Sequence, residues 1–268
     1  LHYPLRRQRQ MCIRDSPIVY LDNAATTPLD RRVWQAMELY FSRDFGNPSS
    51  THRFGQAAEA AVEQARMTMA EVFSCQPDEI IFTSGGSESD NLALRGGAVA
   101  ARNARGANHI LISPVEHPAV TKTAEQLAAF YGFELEYLPV DEFGRVSPQA
   151  VAGHLRPDTA IVSVMAANNE IGTLNPVAEI GAVCRKAGIP FHTDAVQAAA
   201  HMHLDFSAIP VDMVSIGAHK LYGPKGVGAL IVRKGTPLLP TQTGGGQENG
   251  FRAGTSYVPY LVGQAEAF

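Results

Sequence analysis

Beyond residue 17, two patterns of hydrophobic and polar positions alternate along the chain. Short apolar runs, rich in Ile, Val and Leu, are separated by longer stretches in which apolar residues recur with a helical period. The apolar runs predict strands at 79–84, 109–114, 135–140, 159–166, 189–194, 212–217 and 227–233. The periodic stretches predict helices at 29–43, 55–73, 88–103, 118–131, 148–154, 176–187 and 257–268. Strands that alternate with helices in this way are typical of an α/β protein with a mostly parallel sheet covered on both faces.

Composition is that of an ordinary soluble globular protein. The 268 residues include 45% hydrophobic and 18% charged residues, enough to bury the core of one large α/β domain. The net charge of −4 is spread without runs, so we expect no nucleic-acid partner and no membrane surface as partner. No apolar window is long enough to predict a transmembrane helix. Because Cys12, Cys75 and Cys184 have neither metal-site nor disulfide-framework spacing, a reducing cytoplasm is the expected location.

The two ends of the chain depart from this pattern. Residues 1–16 are basic, lack the apolar core of a secretion signal, and end in MCIRDS, which resembles a translated sequencing adapter. An Arg-rich transit peptide is the alternative, but the stretch shows no amphipathic period and contains a single serine. We therefore expect residues 1–16 to be a non-native or disordered tail. The last helical pattern reaches Phe268 without a stop signal, which predicts a chain that has been cut short.

Polar residues of chemical interest follow several of the predicted strands. Ligands of open α/β sheets bind outside the carboxyl ends of the strands, so these positions are candidates for a site. Gly86 and Ser87 open a helix after the first strand, where backbone N–H groups and a hydroxyl can hold a phosphate. His117 follows the second strand and Asn169 follows the fourth. Each also has a structural interpretation, since serine and glycine cap helices, a histidine can precede a helix that begins with proline, and asparagine favours turns.

The fifth and sixth strands end in charged side chains. Asp194 closes an apolar strand, where a carboxylate costs free energy unless it has a cationic or hydrogen-bonding partner. Gln197 follows shortly after it, and His219 and Lys220 follow the sixth strand. A lysine at the end of a strand is ordinarily explained by its preference for water.

Taken together, the strand ends bring a phosphate cradle, an imidazole, an amide, a carboxylate and a lysine to one edge of one sheet. Pyridoxal 5′-phosphate (PLP) needs a phosphate site, a lysine for covalent attachment, and a carboxylate that keeps its pyridine nitrogen protonated. It also benefits from a flat group stacked on the ring and from a donor to its phenolic oxygen. The residues therefore indicate a PLP site.

Longer motifs resemble the class V aminotransferase superfamily, and within it the cysteine desulfurases of the NifS/IscS type. They run from Val19 to Phe268 in the family's order: YLDNAATTP, FGNPSSTHRFG, FTSGGSESDNLAL, EHPAV, NNEIGTLNPV, HTDAVQ, GAHKLYGPKGVGAL and GGGQENGFRAGT. The last motif is similar to the NifS/IscS branch rather than to the SufS branch. The resemblance implies a PLP-dependent transferase of the aspartate aminotransferase-like fold type I. It also implies an N-terminal arm at 17–30, a large PLP-binding domain at 31–255, and at 256–268 the start of a helix leading to a small domain that is mostly missing.

The resemblance assigns roles around the cofactor ring. Lys220 would form the covalent bond to PLP and later shuttle a proton, and Asp194 would pair with the pyridine nitrogen. His117 would stack on the ring and assist catalysis. Gln197 would donate to the phenolic oxygen, and Asn169 would contact the cofactor and the substrate carboxylate.

A second group of roles concerns the phosphate. Gly86, Ser87 and His219 would hold it, and Thr255 would reach the phosphate of a neighbouring subunit, which implies a homodimer. Gly217 stands where family members often have serine. One side-chain contact to the phosphate is then missing, although the glycine leaves room for backbone or water contacts.

The reaction that the resemblance implies converts L-cysteine to L-alanine. The sulfur passes to an enzyme cysteine persulfide and on to an acceptor or scaffold protein, for iron–sulfur cluster assembly or tRNA thiolation. In the family the persulfide-forming cysteine and the arginine that binds the substrate carboxylate lie beyond the position of Phe268. Neither Cys75 nor Cys184 matches that nucleophile, so we expect both to be structural and this chain alone to be inactive.

Two other functions stay open at this stage. One is another class V enzyme, such as a cysteine or selenocysteine lyase, which shares the cofactor site but needs no persulfide cysteine. The other is an inactive protein that retains the fold for interaction only. The presence of Lys220, Asp194 and His117 argues against the second, because a scaffold has no use for a lysine beside a carboxylate at that edge.

Overall fold

One mixed seven-stranded sheet organises residues 18–268, the range that this computed structural model describes. The predicted tail at 1–16 lies outside the described residues. The strands are β1 (Ile80–Thr83), β2 (His109–Ile112), β3 (Glu134–Tyr137), β4 (Thr159–Ser163), β5 (Phe191–Asp194), β6 (Met213–Gly217) and β7 (Gly228–Val232). Their order across the sheet is β1-β7-β6-β5-β4-β2-β3. Strand β7 is antiparallel to both of its neighbours and all other pairs are parallel, which confirms the mostly parallel sheet.

Helices connect the strands and occupy all the positions that the periodic patterns predict. They are α1 (Arg31–Ser42), α2 (Arg53–Phe73), α3 (Gly86–Asn91), α4 (Gly97–Arg105), α5 (Pro118–Tyr131), α6 (Pro148–His154), α7 (Val177–Ala187), α8 (Ala198–His201) and α9 (Val258–Ala267). Short 3₁₀ turns lie at Pro77–Glu79, Ala218–Lys220 and Glu248–Gly250. Helix α8 was not predicted, because its four residues are too few to show a period.

The single helix predicted at 88–103 is wrong in detail. It begins at Gly86, and a π-helical turn at Leu92–Gly96 separates α3 from α4. The backbone of Gly96 lies so close to another segment that a Cβ there would come within 2.4 Å of the Leu239 carbonyl oxygen. The Leu239 N–H also donates to the Gly96 carbonyl oxygen at 3.3 Å. The wider turn thus occurs where the helix backbone hydrogen-bonds to a neighbouring segment, and such π turns are frequent near functional sites.

Alternating strand residues fill an apolar layer on each face of the sheet. In β1, Ile80 and Phe82 face the layer that includes α2, α7 and α9, whereas Ile81 faces the layer that includes α4 and α5. This period-two alternation, with both faces buried, is what a sheet covered by helices on both sides requires. Within residues 18–268, none of the helices combines the length and the apolar character needed to cross a membrane.

Candidate active site

A cavity of about 600 Å³ opens at the carboxyl edge of the parallel strands. Most of the predicted site residues line it: Gly86, Ser87, His117, Asn169, Asp194, Gln197, His219 and Lys220. Gly217 lies next to Gly86 at the end of β6, and Thr255 lines a separate recess beside the cavity. The fold therefore places residues that are up to 134 positions apart in the sequence, from Gly86 to Lys220, at the edge of the sheet where ligands of such proteins bind.

The turn between β1 and α3, predicted to hold a phosphate, requires glycine at two positions. We call residues Gly85–Ser87 the cradle turn. Gly85 has φ 150° and ψ 175°, a conformation that only glycine adopts readily. A Cβ at position 86 would lie 2.5 Å from Val196 Cγ2, so a side chain there would force Val196 to move. The glycines are thus explained by the backbone conformation and close packing of the cradle turn.

Gly217 is not under the same steric constraint. A Cβ at position 217 would lie 3.5 Å from the Gly86 backbone nitrogen and 3.6 Å from Val196 Cγ1, which are ordinary contact distances. Its backbone is extended, with φ −143° and ψ 135°. The position could therefore accept a small side chain directed at the cradle turn.

Asp194 is buried at the end of β5, and its Oδ1 accepts a hydrogen bond from the Val196 N–H at 2.9 Å. Burial raises the pKa of this carboxyl group, while the Val196 N–H, His117 and Lys220 act in the opposite direction. The sequence argument required a cationic or hydrogen-bonding partner for this carboxylate: the Val196 N–H is the hydrogen-bonding partner, and Lys220 lines the same cavity.

His117 caps a helix and also lies at the cavity. It caps the amino terminus of α5, and its Nδ1 accepts a hydrogen bond from the Ala119 N–H at 3.1 Å. The ring also lines the cavity. Because Nδ1 acts as an acceptor, a neutral ring carries its proton on Nε2.

Two adjacent asparagines divide the roles of turn former and cavity residue. Asn168 forms the turn: its Oδ1 accepts from the N–H groups of Glu170 and Ile171 at 2.9 and 3.0 Å. Asn169 lines the cavity, and its Nδ2 donates to Glu170 Oε1 at 2.7 Å. The turn interpretation therefore applies to Asn168, and the site prediction to Asn169.

The N-terminal arm lies against Lys220. Lys220 Nζ donates to the carbonyl oxygens of Ala24 and Ala25, the latter at 2.8 Å. Gln197 Nε2 donates to the same Ala24 oxygen at 2.8 Å. Burial lowers the pKa of the Lys220 ammonium group, against the opposing effect of carboxylates that include Asp194. A lysine with a lowered pKa has a larger neutral, nucleophilic fraction at physiological pH.

The arm continues along the 3₁₀ turn that carries Lys220. The Thr27 N–H and its hydroxyl donate to the His219 carbonyl oxygen at 2.9 and 3.0 Å, and the Tyr222 N–H donates to Thr27 Oγ1 at 2.7 Å. His219 Nδ1 lies 3.1 Å from Thr26 Oγ1, and burial, together with nearby lysines, lowers the pKa of His219. These contacts fix the arm and the lysine turn relative to each other.

Sequence reasoning missed four ionisable residues of the site. Glu88 and Asp90 line the cavity from α3, Lys225 lines it from the loop before β7, and Glu116 is buried beside His117. Two signals were available in the sequence. Asp90 lies four positions after Gly86, hence one helical turn along on the same face, and Glu116 immediately precedes His117.

Two ion pairs hold the segment that carries Thr255. The Glu248 side chain is 5% exposed and accepts hydrogen bonds from Arg66 at 2.9 and 3.0 Å and from the Phe82 N–H at 2.9 Å. Arg252 pairs with Glu88 of α3 at 2.8 Å. For Glu88, burial raises the pKa, but its hydrogen bonds to Arg252 and Ser84 outweigh that effect and lower it. The GGGQENGFRAGT motif is thus attached directly to β1 and to the helix of the cradle turn.

The two cysteines of the described range are free and lie away from the cavity. Cys184 is fully buried on α7 and Cys75 is partly buried. Burial raises the pKa of each thiol to about 12, with a further contribution from neighbouring carboxylates. Both thiols are therefore poor nucleophiles, as the sequence predicted.

Solved structures show the class of protein to which this fold belongs. A NifS-like protein superposes with a TM-score of 0.89 at 41% identity, over 93% of this chain and 68% of that chain. A structure of SspA in complex with cysteine superposes with a TM-score of 0.89 at 40% identity, over 93% of this chain and 72% of that chain. These likenesses confirm the predicted NifS-like transferase fold.

The chain belongs to the aminotransferase class-V family, whose profile matches residues 19–268. A cysteine desulfurase IscS of Dictyoglomus turgidum is 49% identical over 249 residues, which cover 93% of this chain and 62% of that relative. The similarity confirms the predicted resemblance to the NifS/IscS type. The chain spans less than two thirds of the length of the curated relatives that it matches.

Proposed function

We propose that this chain is the PLP-binding part of a cysteine desulfurase. The observation that carries the proposal is that the buried carboxyl group of Asp194 and the Lys220 side chain line one cavity, where the lysine acts to lower the pKa of the carboxyl group. The donor set fits the cofactor: a buried carboxylate, a lysine with a lowered pKa, an imidazole ring and a glycine turn at the start of a helix. When bound, PLP would supply an electron sink for the amino-acid substrate.

Each side chain would contact a different part of the cofactor. Asp194 would hold a proton on the pyridine nitrogen, and the buried setting strengthens that ion pair because the local dielectric is low. His117 would stack on the ring, with Nδ1 already committed to the start of α5. Gln197 would donate to the phenolic oxygen through Nε2, which now donates to Ala24. Asn169 would contact the substrate side.

Lys220 would attach the cofactor and, when free, move a proton at Nζ. The carbonyl oxygens of Ala24 and Ala25 accept hydrogen bonds from Nζ and so provide a position for the unattached ammonium group. The cradle turn and His219 would hold the phosphate. Gly217 would leave space beside it for water or backbone contacts.

L-cysteine is the proposed substrate. Relatives that are 49% and 45% identical in sequence are named cysteine desulfurases, and one structural neighbour was solved in complex with cysteine. We further propose that the sulfur passes through a cysteine persulfide to an acceptor or scaffold protein, for iron–sulfur cluster assembly or tRNA thiolation. A cysteine or selenocysteine lyase is the alternative, and it would require no persulfide-forming cysteine in the whole protein.

A homodimer in the cytoplasm is the proposed state of the whole protein. Thr255 lines a recess beside the cavity rather than the cavity itself, an arrangement that suits a contact with the phosphate of a second subunit. The free thiols of Cys75 and Cys184 suit a reducing compartment. The net charge of −4 gives no reason to add a nucleic-acid or membrane partner.

Covalent labelling tests the cofactor site. The chain, incubated with PLP and reduced with borohydride, should carry the pyridoxyl label on Lys220 and appear yellow before reduction. Lys220→Ala should abolish the label, whereas Lys225→Ala, which removes another lysine of the same cavity, should retain it. Peptide mass spectrometry locates the label. A folded wild-type chain that takes up no PLP, or a label that Lys220→Ala leaves in place, would refute the proposal.

A further inference from the structure

Three carboxyl groups are buried together beneath the cavity. Asp90 is 1% exposed, Asp194 is 6% exposed and Glu116 is 9% exposed. One carboxylate oxygen each of Asp90 and Asp194 and one ring nitrogen of His117 lie within 4.8 Å of one another. Two carboxylates this close in a buried site do not both ionise unless a cation lies between them, because desolvation and mutual repulsion act together.

His192 is the basic group closest to Asp90, and it is not a cation. Its Nε2 lies 3.6 Å from Asp90 Oδ1, but its two ring nitrogens contact the hydroxyls of Ser163 and Ser215 at 2.8 and 2.9 Å. Burial lowers the pKa of His192 to about 3, so the ring is neutral at physiological pH. The negative charge of an ionised Asp90 would therefore have no compensating partner on β5.

The permanent cations on the other elements that pack on α3 are bonded elsewhere: Arg95 of the π turn donates to Asn91 and Gln126, and Lys122 of α5 donates to Glu125 at 2.8 Å. Strands β1 and β7 contain no ionisable side chain, and β6 contributes the Ser215 hydroxyl. The segment before α5 contributes His117 and a further acid, Glu116, whose Oε1 accepts from the Met165 N–H at 2.6 Å. Burial raises the pKa of Glu116 well above its ordinary value.

Asp90 and Asp194 differ in what stabilises their charge. Asp194 accepts the Val196 N–H and lies near Lys220, whereas His117 lies within 4.8 Å of both carboxylates and so does not distinguish them. Asp90 Oδ1 has no hydrogen-bond partner among the described residues. Burial and the charge of Asp194 raise the pKa of Asp90 well above its ordinary value, and the Ser215 hydroxyl opposes them only in part. A proton shared by the pair is thus more stable on Asp90.

We propose that Asp90 is a neutral carboxylic acid in the folded protein and acts as a positioning residue that keeps the negative charge of the buried site on Asp194. An ionised Asp90 would favour protonation of Asp194, and Asp194 could then not hold a proton on a pyridine nitrogen. This consequence for the cofactor rests on the function proposed above. The protonation state of Asp90 itself does not, because it follows from groups of the cofactor-free chain.

Infrared spectroscopy of the cofactor-free chain tests the protonation state directly. At neutral pH the wild type should show the carbonyl absorption of buried neutral carboxylic acids. Asp90→Asn, which keeps the size and the lack of charge, should remove one component, and the matched variant Glu116→Gln should remove another. If Asp90→Asn instead removes a carboxylate absorption, the proposal is wrong.

The pH dependence of unfolding supplies a second readout that a purely structural role would not change. A group whose folded pKa is raised stabilises the fold below its unfolded pKa, and this stabilisation is lost as pH rises toward the folded pKa. Relative to Asp90→Asn, the folding equilibrium constant of the wild type should fall by up to about tenfold per pH unit above about pH 4.

An infrared titration of a second variant tests the coupling between the two carboxyl groups. Asp194→Asn should move the carbonyl titration of Asp90 to lower pH. Parallel pH profiles for wild type and Asp90→Asn, or an unmoved titration in Asp194→Asn, would each overturn the proposal.

Cofactor spectra then separate this inference from the proposed function. In the PLP-loaded chain, Asp90→Asn should retain the pH midpoint of the bound-cofactor absorbance to within about half a pH unit, because the variant reproduces a neutral group. A larger shift would contradict a neutral Asp90. Failure of every variant and of the wild type to bind PLP would refute the cofactor site and leave the infrared result intact.

Discussion

Gly217 lies at the point where β6 leaves the sheet, with its Cα close to the backbone of the cradle turn. A Cβ at this position would lie 3.5 Å from the Gly86 nitrogen, whereas a Cβ at position 86 would lie 2.5 Å from Val196 Cγ2. The two glycine positions thus differ in the space that they offer a side chain. Position 217 has room for a small side chain, and position 86 has none.

We expect Gly217→Ser to bind PLP more tightly than the wild type. The added hydroxyl would face the proposed phosphate position, and one further hydrogen bond contributes about 0.5–1.5 kcal/mol, or roughly two- to tenfold in the dissociation constant. Fluorescence titration of the cofactor-free chain with PLP measures the change. Gly86→Ala is the matched comparison and should weaken binding, since its methyl group would displace Val196. Equal affinities for the three chains would contradict the steric argument.

Without the family resemblance, single residues of the site could be predicted from the sequence where they lie at the end of an apolar strand or within a few positions after it. Lys220, Asp194 and His117 satisfy this condition, because the strand fixes where its carboxyl end lies. Asp90 does not, since it lies in the polar stretch SESDN, which is typical of the exposed first turn of a helix. Only the packing of α3 on β6 and β7 shows that the Asp90 side chain is buried.

At the scale of elements, Arg66 of α2 and Glu248 form the buried contact that attaches the GGGQENGFRAGT motif to the sheet. The side chains are 9% and 5% exposed, and Glu248 also accepts the Phe82 N–H of β1. The backbone of Glu248 has φ 47°, a left-handed conformation that non-glycine residues rarely adopt. Three hydrogen bonds to its carboxylate thus maintain a conformation that the backbone alone disfavours.

Glu248→Gln should lower the free energy of unfolding by about 3–5 kcal/mol, because it leaves the Arg66 guanidinium buried without its main counter-charge. Glu63→Gln provides the control, since Glu63 also pairs with Arg66 but its side chain is 56% exposed. That change should cost less than about 1 kcal/mol. Denaturant unfolding of the three chains gives both values. Similar losses in the two variants would show that the burial of Glu248 does not determine the strength of the pair.

The existence and approximate bounds of the helices and strands could be predicted, but the direction of β7 could not. A period of two or of 3.6 contains no information about chain direction, so an antiparallel strand and a parallel one show the same apolar run. The connection at 218–227 did contain a usable signal. It holds only a short 3₁₀ turn, whereas a parallel crossover ordinarily needs a helix. The π turn at Leu92–Gly96 could not be predicted for a related reason, since one extra residue barely changes the helical period of the apolar positions.

At the scale of the whole molecule, neither thiol of the described range is placed to receive sulfur. Cys75 and Cys184 are absent from the cavity lining, and their pKa values of about 12 leave roughly one thiolate in ten thousand at pH 8. With PLP, L-cysteine and reductant, we expect this chain to release little or no sulfide. Mass spectrometry should find no added sulfur on either cysteine. Robust sulfide release, or a persulfide on Cys75 or Cys184, would contradict this assignment.

The contact between the N-terminal arm and Lys220 has a consequence for synthesis of the protein. Ala24 and Lys220 are 196 positions apart, and Gln197, which shares the same carbonyl oxygen, is 173 positions from Ala24. At a translation rate of about 5–20 residues per second, the arm emerges roughly 10–40 s before its partner lysine has been made. For most of that interval the arm has neither its lysine nor its glutamine to bind. The cavity is therefore completed only after Lys220 has been made, and under the function proposed above a nascent chain stalled before Lys220 should not retain PLP.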